Sequence, residues 1–173
     1  MAKRILGASR WSQVLGLIAI AGVVATAVVW GQQKNSGIKP LTALDYYQIQ
    51  ELGAKYAYGL DTGADNGYYF ANVFAPDGSF GNTKGREALA AMAREGGGRI
   101  KFRGYQHLVQ NVIIEPTADG ATGSQYIQVM TIGGKDKPPM LDHGGRYEDV
   151  YVKTAEGWRI KTRKFAHTFP PRE

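Results

Sequence analysis

The chain has 173 residues, 21 Lys and Arg against 15 Asp and Glu, and no cysteine. That length fits one domain plus a short appendage. The missing thiols exclude a disulfide scaffold, a cysteine nucleophile and any thiolate metal site. Three of the six net positive charges, Lys3, Arg4 and Arg10, lie in the first ten residues; from Lys34 onward the balance is eighteen basic to fifteen acidic. An excess that small is ordinary solubility, so no nucleic acid partner is expected.

Between Arg10 and Lys34 runs an uncharged stretch, WSQVLGLIAIAGVVATAVVWGQQ, whose apolar core spans Val14 to Gly31. A helix rising ~1.5 Å per residue over that core nearly matches a ~30 Å hydrocarbon layer. The basic leading end places the amino terminus in the cytoplasm and the remainder outside it. Two readings stay open: an uncleaved anchor with Trp30 at the interface, or a secretory signal cut near Ala25-Thr26-Ala27 and a secreted product. Residues 1–33 are thus read as a membrane anchor or signal, 34–40 as a linker, 41–168 as the domain and 169–173 as a tail.

Thr42 and Asp45 form a capping-box pattern ahead of Leu44, Ile49, Leu52, Tyr56 and Leu60, which predicts an amphipathic helix over 43–60. A turn at 61–65 leads to a second helix over 66–74, capped by Asp65. Pro76-Asp77-Gly78 reads as a turn, and 79–81 as a short strand at most. GREALAAMAR (85–94) predicts a third helix, ended by Gly96-Gly97-Gly98. From 105 the period moves towards two, giving strands over 105–115 and 122–132, with 116–120 as the turn between them. GGKDKPPM is a loop, and 143–153 with 157–167 form a hairpin through TAEG. Three helices followed by four long strands make an α+β fold with helices laid on one antiparallel sheet. Regular alternation puts His107, Val109, Asn111 and Ile113 on one side of the first strand and Leu108, Val112 and Ile114 on the other. Both sides are largely apolar, so a second subunit is expected on the face the helices leave bare.

Dinucleotide, P-loop, serine-hydrolase and zinc-protease motifs are all absent. Side-chain acid–base chemistry or plain binding is left, with no cofactor. The histidines at 107, 143 and 167 lack local ligand spacing, and no metal is expected. His107 is the leading candidate, since imidazole exchanges a proton near neutral pH. Asp61, at the end of the first helix, would fix its tautomer. His143 either stands beside two glycines where a ligand can approach the backbone or faces solvent at a loop edge; His167 reads as structural or exposed. Tyr56, Tyr126 and Tyr147 are candidate hydroxyl donors. Arg86 and Glu87 cap and solvate the third helix. Arg159, Lys161 and Arg163 alternate and so share a face of the last strand, either a solvated edge or a basic groove.

Four segments in order, YAYGLDTGADNGYYFANVFAPDGSF (56–80), KGREAL (84–89), YQHLVQN (105–111) and GGRYEDVYVKTAEGWRIKTRKF (144–165), resemble a SnoaL-like domain of the nuclear transport factor two superfamily. The resemblance covers about 41–168. It implies a cone-shaped curved antiparallel sheet with three packed helices, a mouth for a small apolar or polycyclic ligand, and a homodimer. It places a dehydratase Asp–His pair on Asp61 and His107, a second active-site histidine on His143, and a bile-acid-dehydratase tyrosine on Tyr56. The two tyrosines that hold a water in scytalone dehydratase correspond to Leu60 and Phe80, a departure from that arrangement. The implied activity is a cofactor-independent lyase or isomerase, of dehydratase type, acting on an apolar cyclic or carbonyl compound. In it His107 is the base, Asp61 its partner, and Tyr126 or His143 the carbonyl donor. The alternative is a membrane-tethered module that binds a ligand or assembles with a protein and does no chemistry.

Overall fold

The computed structural model describes the backbone of residues 37–167 and the side chains of all but 96–103 and 167. The expected membrane segment and most of its linker, like the 169–173 tail, lie outside the described residues. Among those described, no helix is long and apolar enough to cross a membrane.

Helix α1 (Ala43–Thr62) starts as its capping box dictates. Thr42 Oγ1 accepts the Asp45 N–H at 3.2 Å, and Asp45 Oδ2 accepts the Thr42 N–H at 2.9 Å. The helix passes Gly53 and Gly59 and ends at Gly63, left-handed with φ 61°. Gly59 is there for proximity: a Cβ on it would come within 2.8 Å of the Phe70 backbone.

The second helix departs from expectation. It is a 3₁₀ turn (Asp65–Gly67) followed by the single-turn α2 (Tyr68–Ala71), and no side chain caps the turn. Asp65 and Asn66 take positive φ (52° and 55°), a conformation these short polar residues tolerate. Asp65 is therefore part of the kink and not its cap. Strand β1 (Phe74–Phe80) absorbs the expected Pro76-Asp77-Gly78 turn as an irregularity in its pairing. The two-residue β2 (Thr83–Lys84) pairs with it. Helix α3 (Arg86–Arg103) continues through the three glycines expected to end it, and the chain turns at Gly104, where φ is 63°.

Four long strands follow: β3 (Tyr105–Thr117), β4 (Gly120–Thr131), β5 (Met140–Thr154) and β6 (Gly157–His167). The β3–β4 turn shrinks to Ala118 and Asp119. One curved six-stranded sheet results, in the order β2-β1-β6-β5-β4-β3. It is not wholly antiparallel, because β1 runs parallel to β6.

Two pairing irregularities decide which side chains face the helices. In β3, Gln110 pairs with Tyr126 but Ile113 pairs with Ser124, so β3 carries one extra residue. Asn111 takes it up in a left-handed conformation, φ 54°. The expected alternation is reversed beyond that point. His107 and Val109 share the inner face with Val112 and Ile114, whereas Leu108 and Ile113 lie on the exposed outer face. In β6, Tyr151 pairs with Ile160 but Val150 pairs with Thr162. The extra residue turns Arg163 inward, so it does not share a face with Arg159 and Lys161; it is fully buried.

The core between helices and sheet is aromatic, built on Tyr56, Phe70, Phe74, Tyr147, Tyr151 and Trp158. Asp45 ties the start of α1 to the far end of the sheet. Its Oδ1 accepts Trp158 Nε1–H at 2.8 Å and Lys153 Nζ–H at 2.7 Å. Bonds from Lys153, Thr42 and Trp158, in that order, hold the carboxyl well below the usual carboxylate range. A lowered folded pKa means that the unfolded chain binds the proton first as pH falls. The stability this carboxylate contributes is complete above its unfolded pKa of about 4 and declines below it. Thermal unfolding of residues 38–173 between pH 7 and pH 3 should therefore show a smaller acid-induced loss of Tm in Asp45→Asn than in wild type; equal slopes would contradict the assignment.

Candidate functional site

Asp61 sits in the last turn of α1, and His107 is the third residue of edge strand β3. The carboxylate grips this residue twice. Oδ2 accepts the His107 backbone N–H at 3.0 Å, and Oδ1 is hydrogen-bonded to ring Nδ1. An edge-strand N–H is thereby satisfied, and the ring is oriented with Nε2 as its second nitrogen. The His107 side chain is 9% exposed and that of Asp61 18%, so the pair is shielded but reachable.

Beside it, a cleft of about 420 Å³ opens between α1 and β3. Gly53, Ala54 and Ala57 line the helical wall; His107, Val109 and Gln125 line the sheet wall. The small helical residues leave the room. A larger groove of about 560 Å³ runs between Arg86 and Arg159, but it shares no lining residue with this cleft and holds no histidine. The acid–base pair marks the smaller one as the candidate site.

The structure disperses the other candidates. Tyr56 is fully buried, its hydroxyl 2.9 Å from that of Tyr147. Burial, and then the neighbouring Tyr147, push the Tyr56 hydroxyl well above its ordinary pKa; burial also raises that of Tyr147. Both stay neutral donors. Tyr126 projects from the outer face and is 45% exposed, because its neighbours Gln125 and Ile127 occupy the inner one. It cannot serve His107 within one subunit. His143 pairs with Val129, which pairs with His107, so the three form one cross-strand row. Two strand spacings put the histidines about 10 Å apart. His143 is half-exposed, with Asp142 Oδ2 on its Nδ1 at 2.7 Å and Phe165 edge-on at 6.2 Å. It does not line the cleft. Leu60 and Phe80 belong to the aromatic interior, Phe80 lying 6.0 Å from Tyr56 and 5.8 Å from Tyr147 between ring centroids. Arg86 stacks on Tyr68 at 4.4 Å and donates to Asn72 Oδ1. Among the described residues, no three His, Asp or Glu side chains converge as a metal set.

Sequence reasoning missed the buried network behind the cleft. Arg163 donates from Nε and Nη2 to the two oxygens of Asp149, both at 2.8 Å, and both side chains are fully buried. Its guanidinium lies 4.3 Å from the Tyr56 ring centre and 4.4 Å from that of Tyr147. Burial alone would lower the Arg163 pKa, but the Asp149 carboxylate more than reverses this and the cation is kept. Asp149 Oδ2 also accepts from Tyr151 at 2.7 Å and from Gln125 Nε2 at 2.8 Å. A signal did exist for half of this: Gly145, Tyr147, Asp149 and Tyr151 alternate on one face. For Arg163 there was none, since the β6 bulge reverses the reading.

The comparisons agree with the fold. A SnoaL-like domain profile matches residues 41–164. The chain belongs to the SnoaL-like domain family. No curated protein matches it in sequence. Among solved structures it resembles a protein of unknown function with a cystatin-like fold from Nostoc punctiforme. That match has 28% identity and a TM-score of 0.62, over 77% of this chain and 97% of the other. An NTF2-like protein from Novosphingobium aromaticivorans superposes at TM-score 0.65, with 21% identity over 73% and 83%. A candidate scytalone dehydratase from the same species superposes at 0.60, with 24% identity over 73% and 85%. These last two likenesses speak for the fold.

Within the SnoaL-like domain, the Arg163–Asp149 pair makes a quantitative prediction. Arg163→Met leaves a buried carboxylate uncompensated and should cost ~3–5 kcal/mol in urea unfolding. Adding Asp149→Leu removes the orphaned charge and should recover a large part of that loss. A double variant no more stable than the single one would show that the pair is not the unit of stability.

Proposed function

We propose that this SnoaL-like domain is a cofactor-independent lyase or isomerase that removes a proton α to a carbonyl in a small cyclic compound. The observation that carries the reading is the double grip of Asp61 on His107 at the edge of a ligand-sized cleft. With Nδ1–H donated to Asp61, the Nε2 lone pair is the base. It takes the α-proton, the C–H electron pair becomes the enolate, and Asp61 offsets the imidazolium charge. In a β-hydroxy ketone the enolate then expels the hydroxyl, which leaves as water with the proton from Nε2, and an enone results. In an isomerisation the same proton returns at another carbon. Tyr126 has no part in this within one subunit, and His143, at the far end of the cross-strand row, does not line the cleft.

Proton removal is testable without knowing the natural substrate, because a base alone exchanges α-hydrogens of a ketone with solvent. Wild-type protein should catalyse deuterium uptake by 2-indanone in D₂O, followed by proton NMR. His107→Ala should fall to the buffer rate. Asp61→Asn should lose on the order of 10²-fold, since an amide orients the ring without balancing its charge. Full exchange by His107→Ala would sink the mechanism.

One observation favours a second reading, a binding module without chemistry. Tyr56, Phe70, Phe80 and Tyr147 pack ring to ring at 5.0–6.0 Å, so aromatic side chains occupy the interior where a deep ligand would lie. Ligand binding with no exchange would select it.

The proposed enzyme is tethered to a membrane by residues 1–33 and lies outside the cytoplasm, anchored or released by cleavage. It pairs with a second copy through the outer sheet face, where Leu108, Ile113, Tyr126 and Val150 are 39–61% exposed. Full-length protein should resist carbonate extraction and, in detergent, sediment as a dimer. Recovery from the cytosol would refute the tether, and a monomer at micromolar concentration would refute the pairing.

A further inference from the structure

Gln125 is a polar side chain 2% exposed in the middle of β4, and half of its hydrogen-bonding capacity is fixed. Nε2 donates to Asp149 Oδ2 at 2.8 Å. The carboxylate, itself held by Arg163 and Tyr151, accepts only; turning the amide over would set oxygen against oxygen. The orientation of Gln125 is therefore dictated from behind. Its Oε1 faces the opposite way, towards α1, where a Cβ on Gly53 would lie 2.9 Å from it. No donor among the described residues reaches this oxygen, and Gln125 lines the same cleft as His107.

Oε1 is not among the sealed, unpaired atoms of the interior, so it opens on the cleft; a ligand that covers it without supplying a donor leaves a buried acceptor unpaired, which costs free energy. The missing Cβ of Gly53 lets Gln125 Oε1 and Val109 pack close to the helix, and the cleft opens beside them along Ala54 and Ala57. Four residues along β4 and one strand across separate the α-carbons of Gln125 and His107 by about 14 Å, with both side chains on the inner face. One ligand of about two rings spans the gap left between them.

We propose that Gln125 is the specificity-determining residue of the cleft: its Oε1 accepts a hydrogen bond from a hydroxyl on the ligand, at the end remote from the carbon that His107 deprotonates. The acceptor selects ligands carrying a donor and rejects isosteres that lack one, because those leave Oε1 buried and unpaired. The Asp149–Arg163 pair acts through Gln125 by presenting its oxygen and not its nitrogen. The proposal rests on the His107 reading for the reacting end of the ligand only; the selectivity itself belongs to binding.

The test separates the two. The probes are 2-indanone and its 4- and 5-hydroxy derivatives, titrated calorimetrically into the full-length His107→Ala protein, where no proton transfer intervenes. At least one hydroxylated isomer should bind about tenfold or more tightly than the parent, the worth of one buried hydrogen bond. Gln125→Leu should bring that ratio near one. Because Gln125→Leu also deprives Asp149 of a donor and can unsettle the core, Gly53→Ala serves as the second variant. It keeps the amide and crowds Oε1, and it too should collapse the ratio while circular dichroism stays that of a folded domain. Equal affinities for all three probes, no binding of any, or a ratio unchanged in Gly53→Ala would each overturn the proposal. Exchange of 2-indanone by the wild type decides the His107 reading independently, so either idea can fall alone.

Discussion

The Arg163–Asp149 pair sits where α1, β4, β5 and β6 meet. A fully buried guanidinium is tolerable only with its charge balanced and its donors used, and Asp149 takes two of them in a fork at 2.8 Å. The remaining surface of the cation is covered by the faces of Tyr56 from α1 and Tyr147 from β5. One terminal nitrogen, Nη1, has no partner among the described residues. The pair therefore joins α1, β4, β5 and β6 through contacts that tolerate little displacement. Tyr56 and Tyr147 stack on its cation while burial keeps their hydroxyls neutral, and Gln125 is oriented by it. The electrostatics of the interior reach the cleft as geometry.

Much of this was legible in the sequence, and the parts that were not share one cause. Hydrophobic period and capping identified α1, since Thr42 and Asp45 advertise its start and Ile49, Leu52, Tyr56 and Leu60 its buried face. The hairpin of β5 and β6 was equally plain. Side-chain alternation, in contrast, is only as good as the pairing is regular. A single extra residue at Asn111 exchanges the faces of β3, and another near Lys161 buries Arg163. Neither has a composition that marks it, although Asn111 is a residue type that accepts a left-handed backbone. Dyad residues escaped the problem because His107 precedes its bulge. Arg163 follows its own and was read on one face with Arg159 and Lys161, as part of a solvated edge or a basic groove. The parallel pairing of β1 with β6 was hidden for a related reason: Pro76-Asp77-Gly78 spells a turn locally, and tertiary pairing overrules it.

The filling of the interior explains why the cleft lies beside α1. An aromatic cluster around Tyr56, Phe70, Phe80 and Tyr147 fills the interior, so the open space is moved outward, to where small residues of the helix face the edge strand. Tyr56 is thereby a structural neighbour of the cation more than a participant at the cleft. The departure at Phe80 has the same consequence: a phenyl ring at that position extends the cluster and offers no hydroxyl to hold water.

Edge position is what makes the Asp61–His107 arrangement economical. An interior strand would spend the His107 N–H on its neighbour, and Asp61 could then hold the ring alone. On β3 the outward N–H is free for the carboxylate, so a single aspartate at a helix end fixes both the backbone and the imidazole of the same residue. The base is thus positioned by the length of α1, which carries Asp61 to the level of His107, and α1 is in turn pinned at its opposite end by Asp45 on Trp158 and Lys153. A helix fastened at one end to edge strand β3 and at the other to the β5–β6 hairpin is a ruler, and the cleft with its two polar ends, His107 and Gln125, lies along it.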